Sequence, residues 1–142
     1  MAVRKAQAVW QGDLKSGSGN ITLPSGAFNG KYSFQTRFEE TPGTNPEELI
    51  AAAHASCFSM ALSHLLASGG HTPKRVSTTA AVTLDKVPDG FAITKIVLTT
   101  EGEVPGMDEA AFIAEAQKAK AGCPVSKALS ATPIELIAKL VG

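Results

Sequence analysis

The sequence offers little that a nucleic acid, a membrane or an export pathway would recognise. No charge of one sign dominates: thirteen Lys and Arg face thirteen Asp and Glu, and no basic stretch is long enough to make a nucleic-acid or membrane surface. The opening Met1-Ala2-Val3-Arg4-Lys5-Ala6 lacks an apolar run followed by small-residue cleavage chemistry, so no signal peptide and a cytoplasmic location are expected. A run of about 20 unbroken apolar residues, as a membrane span needs, is missing too. The most apolar window, Leu49 to Ala67, is interrupted by His54, Ser56, Ser59, Ser63 and His64, and reads as a buried helix of a soluble protein. There is no repeat, low-complexity tract or interdomain linker, so a single domain over 1–142 is expected. Cysteine is scarce, with only Cys57 and Cys123 and no Cys-x-x-Cys pair. Without an export signal, a transient catalytic disulfide fits these two better than a permanent structural one. Arginine is nearly as scarce: Arg4, Arg37 and Arg75.

What is present suffices for a packed core, since 44% of the chain is hydrophobic. Three short alternating segments come first: Ala6 to Trp10, Gly19 to Leu23, and Lys31 to Phe38. Gly, Pro, Ser and Asn separate them, which predicts an antiparallel meander. A helix start follows in Thr44-Asn45-Pro46-Glu47-Glu48-Leu49. Asn45 can cap, Pro46 suits the first helical position, and Glu48 stands where a capping box needs it. The helix is expected to reach about Ser68 and stop at Gly69-Gly70. Val76 to Val87 and Phe91 to Val104, joined by Pro88-Asp89-Gly90, predict a hairpin. Met107 to Ala121 predicts a helix ended by Gly122, Cys123-Pro124 opens a short helix through Leu129, and Thr132 to Leu140 reads as a last strand. Segregated strands with a few helices give an α+β class.

The chemistry centres on the cysteines. Cys57 sits in the apolar helix beside Ala53, His54, Phe58, Met60 and Ala61. It reads either as a small buried hydrophobe or as a thiol whose pKa burial raises unless a cation compensates. Cys123, between Gly122 and Pro124, falls at a helix N-terminus, where backbone N–H groups and the helix dipole favour a thiolate. Arg37 is placed just upstream of the capping segment and is the best candidate cation, because guanidinium stays charged and offers several donors. Its plainer reading is a strand-end surface charge. Glu47 can orient Arg37 as a bidentate partner, or simply serve the helix dipole. His54 lies three positions before Cys57, on one helix face. That spacing invites a metal reading, yet His64, His71 and Cys123 show no zinc-finger spacing, and His54 reads better as an interface or packing residue. No cofactor is called for.

Three stretches carry a resemblance. Thr44 to Leu62, with Cys57 in its second half, resembles the core signature of the OsmC/Ohr family of osmotically inducible and organic hydroperoxide resistance proteins. Lys118 to Ser126, around Cys123, is similar to that family's second cysteine motif, and Phe91 to Ile96 matches between them. The likeness runs from Trp10-Gln11-Gly12 to the final strand and favours the osmotically inducible branch. It implies antiparallel sheets wrapped around long central helices in an intertwined homodimer, with two active sites at the subunit interface. It implies a cysteine-based peroxidase for organic hydroperoxides, with no metal or haem. Cys57 would be the peroxidatic thiol and Cys123 the resolving one, with an external dithiol, thioredoxin or a lipoylated protein, as reductant. Glu47 matches the family glutamate. Gln11 to Gly17 holds no arginine, so Arg37 takes the place that the osmotically inducible branch gives its arginine. A non-catalytic redox sensor and a zinc- or ligand-binding protein remain the alternatives.

The implied site meets a geometric constraint. Ten residues of straight helix separate Glu47 from Cys57 by about 15 Å along the axis. Either the helix breaks near Ala53 to Ser56, or Glu47 acts through Arg37 or from a partner chain. Phe34, Phe38, Phe58 and Met60 are candidates for an apolar wall around the site, with core packing as their plainer role.

Overall fold

A computed structural model describes residues 1–142. The chain forms two compact units, Met1–Leu49 and Ile50–Gly142. The first begins as the predicted meander: β1 (Gln7–Gln11), β2 (Ser18–Thr22) and β3 (Asn29–Tyr32), antiparallel in that order. Gly19 on β2 stands opposite both Trp10 and Tyr32. Their rings close over it at 5.5 Å between centroids, and a Cβ there would strike the tyrosine ring.

The third predicted strand is cut short. Residues Phe34–Phe38 form a short helix, α1, rather than a continuation of β3. Arg37 therefore projects from a helical turn, not from a strand end. The physical reason is local. Ser33 accepts from the Thr36 N–H while Thr36 Oγ1 accepts from the Ser33 N–H, a reciprocal capping box that turns the backbone. The aromatic pattern that mimics a strand also fits i,i+4 helical spacing, and the Phe34 and Phe38 rings meet at 4.9 Å.

Helix α2 (Pro46–Ser68) is unbroken. Asn45 Oδ1 accepts from the Glu48 N–H at 2.8 Å, as its cap position predicts. The Glu48 carboxylate takes the Thr44 hydroxyl at 3.2 Å instead of returning to the Asn45 backbone. Asn45 also donates to the Thr36 carbonyl at 3.0 Å, which fixes the head of α2 against α1.

The second unit holds the main core. Strands β4 (Arg75–Val87) and β5 (Gly90–Glu103) make the expected hairpin, and β6 (Ile134–Leu140) adds parallel to β5. Between β5 and β6 the chain crosses over through α3 (Glu109–Gly122) and α4 (Pro124–Ala128), since parallel neighbours require a long connection. Three periodicities supply the buried side chains. Helix α2 offers His54, Phe58, Leu62 and Leu66, four apart; β5 offers Ile96, Leu98 and Thr100, two apart; α3 offers Phe112, Ala116 and Ala119, followed by Cys123. Burying each large apolar side chain contributes about 1.5–3 kcal/mol. Gly102 continues the β5 face, and a Cβ there would run into the Phe112 ring. A hydroxyl chain links helix to sheet: Ser59 donates to Thr78 at 2.7 Å, and Thr78 meets Thr100 at 3.0 Å.

An apolar helix should be buried all round, but within this chain only the His54, Phe58, Leu62 and Leu66 stripe is fully covered. Met60, between those rows, is 74% exposed. By length and composition alone, α2 is the one helix long and apolar enough to cross a membrane.

Candidate active site

Cys57 and Cys123 are 66 positions apart in sequence, and the fold sets their sulfurs 2.9 Å apart as free thiols. Cys57 reaches this point from the middle of α2, and Cys123 from the junction where α3 ends and Pro124 begins α4. The junction is dictated locally. Pro124 supplies no N–H and cannot extend α3, but its fixed φ suits the first position of a new helix. Cys123 thus faces the unpaired amides of α4. It is fully buried, whereas Cys57 is half-buried.

The two thiols titrate as a pair, with opposite tendencies. Burial pushes the Cys57 thiol up, and its hydrogen bond to Cys123 adds to this; the Val125 N–H opposes them. Burial pushes Cys123 up as well. The adjacent Cys57 side chain, the Ser126 N–H and hydroxyl group, and the Val125 N–H outweigh it and bring Cys123 below an ordinary thiol. Within this unit, then, Cys57 still needs a cation to become a thiolate.

Arg37 and Glu47 form the other pair brought together. Arg37 Nε donates to Glu47 Oε1 at 2.8 Å and to Oε2 at 3.2 Å. The glutamate side chain is 10% exposed and the arginine 38%, so the carboxylate is fixed while the guanidinium keeps an open side. The guanidinium carbon also lies 5.4 Å from the Phe38 ring centroid. Trp10, Leu14, Tyr32, Phe34, Arg37 and Phe38 line an apolar cavity of about 250 Å³, so Arg37 stands in a mostly aromatic cup. Phe34 and Phe38 are wall residues there. Phe58 is not, because it is completely buried in the core. Met60 opens onto a separate groove of about 490 Å³ with Ser59, Ser63, His64 and Arg75.

His54 is fully buried. Its Nε2 lies 2.7 Å from the Ser126 hydroxyl, and Nδ1 has no partner. Burial lowers its pKa below that of free imidazole. The packing role expected of His54 is met, but its contact with Ser126 spans 72 positions, and no sequence spacing announces it. No three His, Cys, Asp or Glu side chains converge as a metal site needs.

The OsmC-like protein family model matches residues 38–137. The chain is 58% identical over 129 residues to the peroxiredoxin OsmC of Escherichia coli K12, covering 90% of each chain. It is 39% identical over 87 residues to the organic hydroperoxide resistance protein of Xanthomonas axonopodis pv. citri, covering 61% of this chain and 59% of that protein. The crystal structure of the organic hydroperoxide resistance protein OhrB of Bacillus subtilis superposes with a TM-score of 0.74 at 25% identity, over 99% of this chain and 100% of that one. An OsmC structure from Legionella pneumophila gives a TM-score of 0.73 at 24% identity with full coverage of both. With a family model matched over residues 38–137 and a relative 58% identical over 129 residues, the chain belongs to the OsmC-like protein family.

Proposed function

We propose that this chain is a thiol-dependent peroxidase that reduces organic hydroperoxides to alcohols. The observation that carries the reading is the pair of free sulfurs at 2.9 Å, one half-buried and one buried, at the meeting of two helices. Relatives named as a peroxiredoxin and as hydroperoxide resistance proteins support a role in peroxide defence. In the proposed cycle the Cys57 thiolate attacks the distal peroxide oxygen, the O–O bond breaks, and the alkoxide leaves as alcohol after taking a proton. Cys57 is left as a sulfenic acid. Cys123 attacks its sulfur, a disulfide forms and water leaves. An external dithiol then reduces the disulfide. Formation of the disulfide also guards Cys57 against irreversible over-oxidation.

The activating cation in this reading is Arg37, held by Glu47. Because α2 is unbroken, Glu47 and Cys57 stay about 15 Å apart along one helix axis. The Arg37–Glu47 pair therefore serves Cys57 from the partner of a homodimer. The uncovered apolar side of α2 supports the same assembly, as a second copy would bury Met60 and its neighbours. Sedimentation at low micromolar concentration is expected to give twice the 14.7 kDa chain mass. A stable and active monomer would contradict the shared site.

Turnover tests the activity itself. With a dithiol as reductant, kcat/KM is expected to be clearly higher for an aryl or alkyl hydroperoxide than for hydrogen peroxide. The aromatic cup around Arg37 supplies that preference. Faster turnover of hydrogen peroxide would refute the substrate class, and a single oxidation without dithiol-dependent cycling would indicate a redox sensor instead. The comparison of thioredoxin with a lipoylated protein, in the same assay, identifies the reductant class. The cytoplasm, where such dithiols are maintained, is the location consistent with this cycle.

A further inference from the structure

Resolution of the sulfenic acid requires that buried Cys123 lose a proton, and no solvent reaches its sulfur to accept it. Apart from Cys57, the sulfur it attacks, the side chain that leads away from it is Ser126. Ser126 follows Cys123 by three positions in α4, its N–H and hydroxyl group bear on the Cys123 sulfur, and its hydroxyl oxygen lies 2.7 Å from His54 Nε2. Ser126 is 4% exposed and His54 fully buried. A buried imidazole whose second nitrogen has no partner costs stability, and core packing alone would be served as well by an apolar side chain.

From this geometry we infer that Ser126 and His54 form a proton relay for the resolving thiol. As Cys123 attacks, its thiol proton passes to Ser126 Oγ, and the Ser126 hydroxyl proton passes to His54 Nε2. The Cys123 sulfur forms the new S–S bond and is oxidised. The S–O bond at Cys57 breaks, Cys57 sulfur is reduced, and the departing hydroxide takes a proton from solvent, which reaches half-buried Cys57, to become water. When an external dithiol later opens the disulfide, the proton returns from His54 through Ser126 to the leaving Cys123 thiolate. Ser126 touches a reacting sulfur; His54 acts through it, as a positioning and proton-holding residue. No charged side chain bears on His54, and burial lowers its pKa, so the imidazole is in its neutral form before resolution begins. The titratable groups that adjoin the relay are the two thiols, Cys57 on its own helix and Cys123 at the head of α4.

The inference rests on the proposed roles of the cysteines, but its test does not need a hydroperoxide. Ellman's reagent converts the more accessible Cys57 to a mixed disulfide and releases one thionitrobenzoate. Attack by Cys123 then expels the second, and its absorbance reports the resolving step alone. Ser126→Ala and His54→Gln are each expected to slow that second phase about 100-fold at pH 7. The lost rate should return about tenfold per pH unit as hydroxide replaces the relay, a profile that a packing defect does not produce. In the unaltered protein, the second phase in mixtures of light and heavy water should depend on deuterium content as a curve, because two protons move together. A wild-type rate and unchanged pH profile in Ser126→Ala would overturn the relay, as would a linear isotope dependence if His54→Gln does not fold. Should the protein consume no hydroperoxide while the second phase responds as described, the relay stands and the substrate of Cys57 is misassigned.

Discussion

Cys57→Ser is expected to abolish hydroperoxide consumption, and Cys123→Ser to consume about one equivalent per chain and then stall. This is the largest effect expected of any substitution, since the serine hydroxyl lacks the thiolate that attacks the O–O bond. The two variants separate because their sulfurs differ in access: Cys57 is half-buried and Cys123 is not exposed at all. With Cys123 gone, the sulfenic acid at Cys57 meets no partner at 2.9 Å and advances to the sulfinic acid when peroxide is in excess. Mass spectrometry of the stalled protein should find that oxidation on Cys57. Equal turnover by the wild type and Cys123→Ser in the absence of small thiols would remove Cys123 from the cycle.

Arg37→Met comes second, with an expected slowing of the peroxide step by about 100-fold, the usual loss when one preorganised donor to developing charge is removed. Cys57 is held above an ordinary thiol by burial and by Cys123, so its thiolate depends on a positive charge from elsewhere. Arg37→Lys should rescue little, because an ammonium cannot contact thiolate and peroxide in one planar fork. Glu47→Gln should have a smaller effect of the same sign, since it keeps one acceptor for the 2.8 Å bond to Arg37. The pH dependence of Cys57 alkylation in a Cys123→Ser background reads the activation directly, with rapid-mixing kinetics for the peroxide step. A folded Arg37→Met protein with neither changed would move the search to Arg4, Arg75 or a lysine.

The extents of α2 and of the β4–β5 hairpin were legible because their signals are local. Asn45-Pro46 and Gly69-Gly70 bracket the one, and the turn at Pro88-Asp89-Gly90 sets the other. Phe34 to Phe38 misled because two aromatic residues four apart fit both the strand period of two and one helical turn, and the Ser33–Thr36 box decides between them. The parallel docking of β6 was not legible, as it depends on how the α3–α4 crossover packs. The same non-local packing brings Ser126 to His54, and no residue type at either position marks it. The cysteines were visible as chemistry in the sequence, and their closeness only as a likeness to a family. The exposure of Met60 shows the limit of composition: it gives how apolar a helix is, not which molecule covers it.

The placement of the sulfurs also governs the poise of the disulfide they would form. Joining Cys57 to Cys123 closes a loop of 66 residues, and in the chain-entropy account that restricts the unfolded chain by about 4 kcal/mol. By a thermodynamic cycle, whatever the bond adds to the folded state's stability is also added to the difficulty of reducing it there. Four kcal/mol corresponds to roughly 90 mV toward more reducing potentials. A monothiol buffer works against that gap, because its own oxidised form gains nothing from ring closure. A dithiol that cyclises as it reduces recovers the entropy of the second step, so in the proposed cycle a two-thiol electron donor would be favoured over a monothiol.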